Sequence, residues 1–262
     1  LLPTPLSPAQ QNQLKKTQIS SVRTDPDNIW LGTDDDGLFR IRKSDGQLDP
    51  FKHNPYDPTS SGDNRINALH IDHSGVLWTG THSDGLNKLT IASLNFGHYN
   101  FHQQYPDCMG NNRIYAVLQD SDDNTWLGSY AGGLSKISSD GQQCNKYIHD
   151  PQNPHSLSNN RVMSLAQTRD GKILVGTMDG LNIYHPDSGH FSRYSSTNSV
   201  GHFSEHNIVY STLQDKQDSI WMGTYRNGLY QFDAHLKPLA HFKADKSTNG
   251  LKNNWVNSII QD

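Results

Sequence analysis

Long apolar runs are missing from this 262-residue chain: its clean apolar stretches are short pieces such as Ile173 to Val175, where a bilayer-spanning helix needs about 18 to 20 residues. Cysteine is scarce. The two present, Cys108 and Cys144, fit neither a dense disulfide scaffold nor a paired CxxC zinc site, and their number leaves open whether they form a bridge. Basic excess is also absent, since 22 Lys and Arg face 26 Asp and Glu for a net charge of −4. With no basic block to follow a phosphate backbone, nucleic acid is excluded as a partner. The 14 histidines include His70 and His73 at a ligand-like spacing. No HxH or HExxH accompanies them, so no metal site is expected. There is no GxSxG, no supported Ser/His/Asp order and no glycine-rich phosphate loop, so neither a catalytic motif nor a cofactor is implied. The chain begins at Leu1 without a signal-peptide succession and reads as a segment of a longer or processed polypeptide.

A repeat is what the sequence does contain. Trp30-Leu31-Gly32-Thr33 recurs as Trp78-Thr79-Gly80-Thr81, Trp126-Leu127-Gly128-Ser129, Leu174-Val175-Gly176-Thr177 and Trp221-Met222-Gly223-Thr224, with glycine spacings of 48, 48, 48 and 47. A Gly-Leu pair follows each copy, at Gly37-Leu38, Gly85-Leu86, Gly133-Leu134, Gly180-Leu181 and Gly228-Leu229. Upstream lies a second recurring piece, clearest in Asn64-Arg65-Ile66-Asn67-Ala68-Leu69, Asn112-Arg113-Ile114-Tyr115-Ala116-Val117 and Asn160-Arg161-Val162-Met163-Ser164-Leu165. It returns more loosely at Asn207-Ile208-Val209 and Asn254-Trp255-Val256, and Thr17 to Val22 is its weak form in the first repeat.

Each repeat reads as four short strands, in the second repeat Ile66 to Asp72, Val76 to Thr81, Leu86 to Thr90 and Phe96 to His102. Strand lengths, β-branched and aromatic enrichment, and Gly, Asp, Asn and Ser punctuation favour strands over helices. The expected fold is all-β: a β-propeller of four-stranded antiparallel blades, five full repeats plus the first strand of a sixth. A lead-in covers 1–16, and the repeats fill 17–262 as blades at about 17–63, 64–111, 112–159, 160–206 and 207–253, with a partial 254–262. Gly85 and its equivalents should hold a positive φ at a hairpin. Gly32 and its equivalents should admit neighbouring backbone inside a strand. The repeated Trp should wedge between blades and give its N–H to a nearby carbonyl. Leu174 should pack less well.

The pattern N-R-[IV]-x-[AS]-[LV], then W-x-G-[TS], then G-L, resembles the two-component regulator propeller repeat over residues 17 to 262. The stretch Asp150-Pro151-Gln152-Asn153-Pro154-His155-Ser156-Leu157-Ser158-Asn159-Asn160-Arg161-Val162 resembles the family's lead into a blade, with Asp57-Pro58-Thr59-Ser60-Ser61 as a shorter echo. The resemblance implies the periplasmic sensor region of a bacterial membrane-bound signalling protein. It also implies an immunoglobulin-like domain, a membrane helix and a kinase or cyclase output beyond this chain, so that any membrane contact runs through a segment outside it. Family propellers usually have seven blades, so five repeats point to a larger parent.

Function in a propeller concentrates in the loops between second and third strands and between blades. On one fixed frame these loops carry Asp34-Asp35-Asp36, His82-Ser83-Asp84, Tyr130-Ala131-Gly132, Met178-Asp179 and Tyr225-Arg226-Asn227. The aromatic faces of Tyr130 and Tyr225, the carboxylates of Asp35, Asp84 and Asp179, the His82 ring and the Arg226 fork suit a small polar ligand such as an oligosaccharide. Arg65, Arg113 and Arg161 recur at the entries to inner strands, as expected of residues that cap loop carbonyls or pair with a neighbouring blade. A non-catalytic sensor is the leading expectation. A polysaccharide hydrolase or lyase using Asp35, Asp84, Asp179 and His82 is an alternative, as is a scaffold that binds another protein or a second copy of itself as a homodimer.

Overall fold

In a computed structural model the described residues are 6–91, 93–99, 108, 111–198, 201–204, 206–245 and 250–261. Five four-stranded antiparallel sheets form the blades of a β-propeller fold. The first is β1 (Ile19–Thr24), β2 (Asn28–Thr33), β3 (Leu38–Arg42) and β4 (Leu48–Phe51); the second is β5 (Ile66–Ile71), β6 (Leu77–Thr81), β7 (Leu86–Thr90) and β8 (Asn95–Tyr99). The third is β9 (Ile114–Gln119), β10 (Thr125–Ser129), β11 (Leu134–Ile137) and β12 (Cys144–Tyr147); the fourth is β13 (Val162–Gln167), β14 (Ile173–Thr177), β15 (Gly180–His185) and β16 (His190–Tyr194). A small hairpin, β17 (Ser196–Asn198) with β18 (Gly201–Phe203), precedes the fifth: β19 (Val209–Gln214), β20 (Ile220–Thr224), β21 (Leu229–Phe232) and β22 (Pro238–Phe242). The second-blade strands expected from sequence match within a residue or two; positions 100–102 of the expected outer strand lie outside the described residues.

The chain divides into two compact units, one of residues 1–107 and 111–117 with residue 262, the other of residues 108–110 and 118–261. In the first, Trp30 of β2 packs with Leu38 and with Ile66, Leu69, Leu77, Leu89 and Phe96 of the following blade. In the second, Leu174 of β14 packs into the fifth blade's core with Val209, Ile220, Met222 and Phe232. The repeated position is therefore a wedge between blades, but Leu174 corrects one expectation. It is 1% exposed, whereas Trp78 and Trp221 at the same place are half-buried, because the aromatic rings of Phe203, Tyr230 and Phe232 fill the space around it.

The indole acceptor is a second correction. Each repeat tryptophan donates Nε1–H to an aspartate carboxylate at the preceding turn: Trp30 to Asp25, Trp78 to Asp72, Trp126 to Asp120 and Trp221 to Asp215, at 2.7 to 2.8 Å. The other oxygen of that carboxylate takes two turn amides, as Asp120 does from Asp122 and Asn124. A charged acceptor with several donors outcompetes a lone carbonyl. In the fourth blade Thr168 stands at the aspartate position and Leu174 at the tryptophan position, so donor and acceptor are lost together and neither is left unsatisfied.

The hairpin glycines act as expected, whereas among the strand glycines Gly176 and Gly223 admit neighbouring backbone and Gly32 and Gly80 make room for side chains instead. Gly37, Gly85, Gly133, Gly180 and Gly228 have φ of +73° to +92°, a region costly for residues with a Cβ. A Cβ on Gly80 would come within 2.8 Å of Ile114, and one on Gly223 within 2.6 Å of the Val256 carbonyl, both from the next repeat's inner segment.

The lead-in holds a helix, α1 (Pro8–Lys16). Its face is polar and buries no residue, so hydrophobic periodicity cannot reveal it. A capping box does: Ser7 accepts from the Gln10 amide while Gln10 accepts from the Ser7 amide, with Pro8 beginning the first turn. Leu6 and Leu14 still rest against Leu31, Phe39 and Ile41. Residues 254–261 form no strand, because a ladder needs a second strand and none of the described residues supplies one. They keep the contacts of an inner strand, Gly228 N–H to the Asn254 carbonyl at 2.8 Å and Val256 N–H to the Thr224 carbonyl at 3.1 Å.

Candidate functional site

The loops after the second strands are fixed at both ends by backbone bonds. The residue after the repeat Thr donates to the entry of its own blade's inner strand: His82 to the Arg65 carbonyl, Met178 to Arg161 and Tyr225 to Ile208, at 3.0 to 3.1 Å. The repeat glycine donates to the asparagine that opens the next repeat: Gly37 to Asn64, Gly85 to Asn112, Gly133 to Asn160, Gly180 to Asn207 and Gly228 to Asn254. That asparagine's side chain in turn accepts an amide from the chain leaving the outer strand, as Asn64 does from His53 and Asn160 from His149. Its recurrence is thus a bolt between blades. The connectors 53–62 and 149–158 correspond residue for residue, with His53 and His149 each placing Nδ1 at 2.7 to 2.8 Å from a carbonyl eight residues on, and Ser60 and Ser156 bridging the turn. The echo at Asp57 is therefore full length, beginning at His53.

On this frame the residue that enters the next blade reaches back over the loop. In the first unit Arg65 ion-pairs with Asp34 at 3.1 Å and Asp35 at 3.3 Å. Arg113 donates to Nδ1 of His82 at 3.3 Å. Burial, then the charges of Arg113 and Arg65, lower the His82 pKa against the opposing pull of Asp63 and Asp34, so the ring is neutral at neutral pH. Asp84 accepts from Asn87 and contacts Nδ1 of His98, both at 3.1 Å. Asp35, His82 and Asp84 therefore lie on one type of loop, each held by a different neighbour.

In the second unit the Arg161 guanidinium lies 4.5 Å from the centre of the Tyr130 ring, and Asp179 contacts Nδ1 of His206 at 2.8 Å. Tyr225 meets Trp255 edge-on at 5.1 Å and Tyr210 at 6.1 Å, and carries the Arg226 guanidinium at 4.8 Å. His98, His206, Tyr210 and Trp255 were not anticipated as neighbours of the loops. Trp255 was detectable, since it occupies the arginine position of the Asn-Arg-Val frame.

A cleft of about 190 Å³ lies in the second unit at the opposite, turn end of the blades, walled by Asp120, Trp126, Lys136, Lys172, Tyr184 and Asp187. Several of its polar walls are engaged with one another. Lys172 pairs with Asp170 at 2.6 Å, Lys136 sits over Trp126, and Gln167 and Ser121 exchange two hydrogen bonds across the neighbouring blades. The same glutamine bridge recurs from Gln214 to the Arg169 amide and from Gln261 to the Lys216 amide, so the bridge belongs to the frame of the repeats. Among the described residues no group of three or more His, Cys, Asp or Glu could hold a metal ion, and no helix is long and apolar enough to cross a membrane.

Blades of four antiparallel strands with variable loops on a constant frame define a β-propeller. Three segments of the chain, residues 108–131, 156–179 and 204–226, match the model of the two-component regulator propeller family. No curated protein sequence matches the chain. The extracellular domain of a putative hybrid two-component system of B. thetaiotaomicron is similar in structure, with a TM-score of 0.72 and 24% identity over 93% of this chain and 31% of that one. PorZ, a bacterial surface component of the type-IX secretion system of Porphyromonas gingivalis, gives 0.66 and 19% over 94% and 36%. An inactive variant of virginiamycin B lyase from Staphylococcus aureus gives 0.62 and 11% over 85% and 69%. At these identities the likeness is one of fold, and the chain spans about a third of the first two structures.

Proposed function

We propose that this chain is a non-catalytic sensor segment of a bacterial membrane-bound signalling protein, lying on the periplasmic side and binding a small polar ligand such as an oligosaccharide. The observation that carries the reading is the family's repeat with loop contents that change from blade to blade while the frame does not. Tyr130, Asp179, Tyr225 and Arg226 in one unit and Asp35 and His82 in the other are its candidate contacts. Two further features support it. The structure joins Cys108 to Cys144, as suits an oxidising compartment, and a hybrid two-component system supplies a structural relative. A stiff propeller signals by population shift, its ligand favouring one arrangement of attached modules over another.

Native mass spectrometry of the chain with pooled oligosaccharides and metabolites tests this. A ligand retained intact is the expected result. Turnover without retention would replace the reading with an enzyme, and an inert dimer would replace it with a scaffold.

A further inference from the structure

Five loops share one frame, and their cations are neutralised differently. In the first unit the arginine from the next blade, Arg65, meets two carboxylates. In the second, Arg161 and Arg226 lie on the faces of Tyr130 and Tyr225, both are exposed, and no carboxylate among the described residues pairs with either. The nearby acid, Asp179, is occupied by His206.

Arg226 also departs from the frame in its backbone. Among described non-glycine residues, positive φ occurs at Leu94, Asp123, Asp218, Arg226 and Leu236. Four of these stand where another blade has a positive-φ glycine: Asp123 and Asp218 match Gly75 and Gly171, and Leu94 and Leu236 match Gly46, Gly141 and Gly189. Arg226, at φ +70°, has no such counterpart. Asp35, Ser83 and Ala131 hold the same loop position without it, and the fourth loop is one residue shorter. A left-handed arginine is costly where an ordinary residue on an ordinary backbone would close the loop, and such outliers gather at ligand clamps. The flanks hold it there: Tyr225 N–H bonds the Ile208 carbonyl at 3.0 Å, and the Asn227 side chain bonds Asn207 at 2.7 Å.

A guanidinium lying on an aromatic ring keeps its in-plane N–H groups outward, able to fork onto a carboxylate or sulfate. We propose that the loop end of the second unit binds an anionic saccharide, one bearing uronate carboxylates or sulfate esters, with Arg226 and Arg161 gripping the acidic groups and the Tyr130 and Tyr225 side of the surface facing the sugar rings. This rests on the sensor reading above and names its ligand class.

The test is calorimetric titration of the wild-type chain with a trigalacturonate, a chondroitin sulfate tetrasaccharide and neutral maltotetraose, repeated with Arg226→Gln, Arg226→Gly and Arg161→Gln. Arg226→Gly removes the charge while relieving the backbone, so a loss seen there is not a folding defect. The expected result is binding of one or both acidic sugars, weakening with salt, and reduced roughly tenfold or more in each variant, the scale of a lost charge-assisted bond. Acidic-sugar binding unchanged in all three variants overturns the proposal. Equal binding of maltotetraose overturns it too, while leaving a saccharide sensor standing. Binding of none of the three overturns the proposal, and the oligosaccharide reading falls with it if the pooled screen also retains no sugar.

Discussion

Asp84 and Gly62 give the sharpest test of how the loops are built. In the fourth blade the Ser158 hydroxyl accepts from the Asn182 amide at 2.7 Å and lies 2.9 Å from Thr177 Oγ1, while Ser158 N–H donates to Asn182. In the second blade the corresponding residues are Gly62, Asn87 and Thr81. Gly62 N–H still donates to Asn87 at 2.9 Å, but the missing hydroxyl is replaced by the Asp84 carboxylate, which occupies the place a Cβ on residue 62 would take. Asp84→Ala therefore leaves the fully buried Asn87 short of an acceptor, at a cost of about 1 to 3 kcal/mol. Gly62→Ser alone drives its Cβ into Asp84 and costs a similar ~1 to 3 kcal/mol. Together the two changes recreate the fourth-blade arrangement, so the double variant should lie within about 1 kcal/mol of the parent, with a coupling of roughly 1 to 3 kcal/mol. Urea unfolding of all four proteins, at matched denaturant slopes, measures this. Additive losses in the double variant would refute the account and return Asp84 to the pool of residues free for a ligand.

Three other outcomes follow from the same structure. Asp120→Ala removes the acceptor of the buried Trp126 indole and of two turn amides, and should cost about 2 to 4 kcal/mol in denaturant unfolding; a loss under about 0.5 kcal/mol would mean that the turn is held by other bonds. Cys108→Ser should lower stability by up to about 4 kcal/mol, the entropy of a loop spanning 36 residues, and dithiothreitol should reproduce the shift in melting temperature in the wild type but not in the variant. Burial, with Arg23 beside it, pushes the His70 pKa down to about 4, against the opposing charge of Asp72. Because the folded value lies below the unfolded one, near 6.5, stability is full above pH 6.5 and declines toward pH 4. His70→Gln should flatten that part of the stability profile. Below about pH 4 a further loss should remain in both proteins, since burial, which raises the pKa of Asp25 and Asp215, is outweighed by the indole bonds of Trp30 and Trp221 taken together with the turn amides and, at Asp25, the Asn28 side chain, so that both carboxyls lie below the ordinary carboxylate range.

What the sequence disclosed and what it withheld separate by the range of the bonds involved. Strands, turns and glycines were legible because each is set within a few residues, as Gly37 turns because of its own φ. Helix α1 escaped a search for apolar periodicity because its signal is a cap, local but polar. The tryptophan and its aspartate were both visible, six residues apart in most copies, yet only their joint absence at Thr168 and Leu174 shows that they act as one device. The loop contents were readable and their partners were not, because those partners lie in the following repeat: Arg65 is 30 residues from Asp35, and Arg113 is 31 from His82. A repeat turns that distance into a rule. Once Arg65 is seen to answer Asp34, the same register assigns Arg113 to His82, Arg161 to Tyr130 and Trp255 to Tyr225, and the position at which the arginine gives way to an indole is the one where the loop supplies its own, left-handed Arg226. The break in the register, more than any residue type, is what sets that loop apart from the frame it stands on.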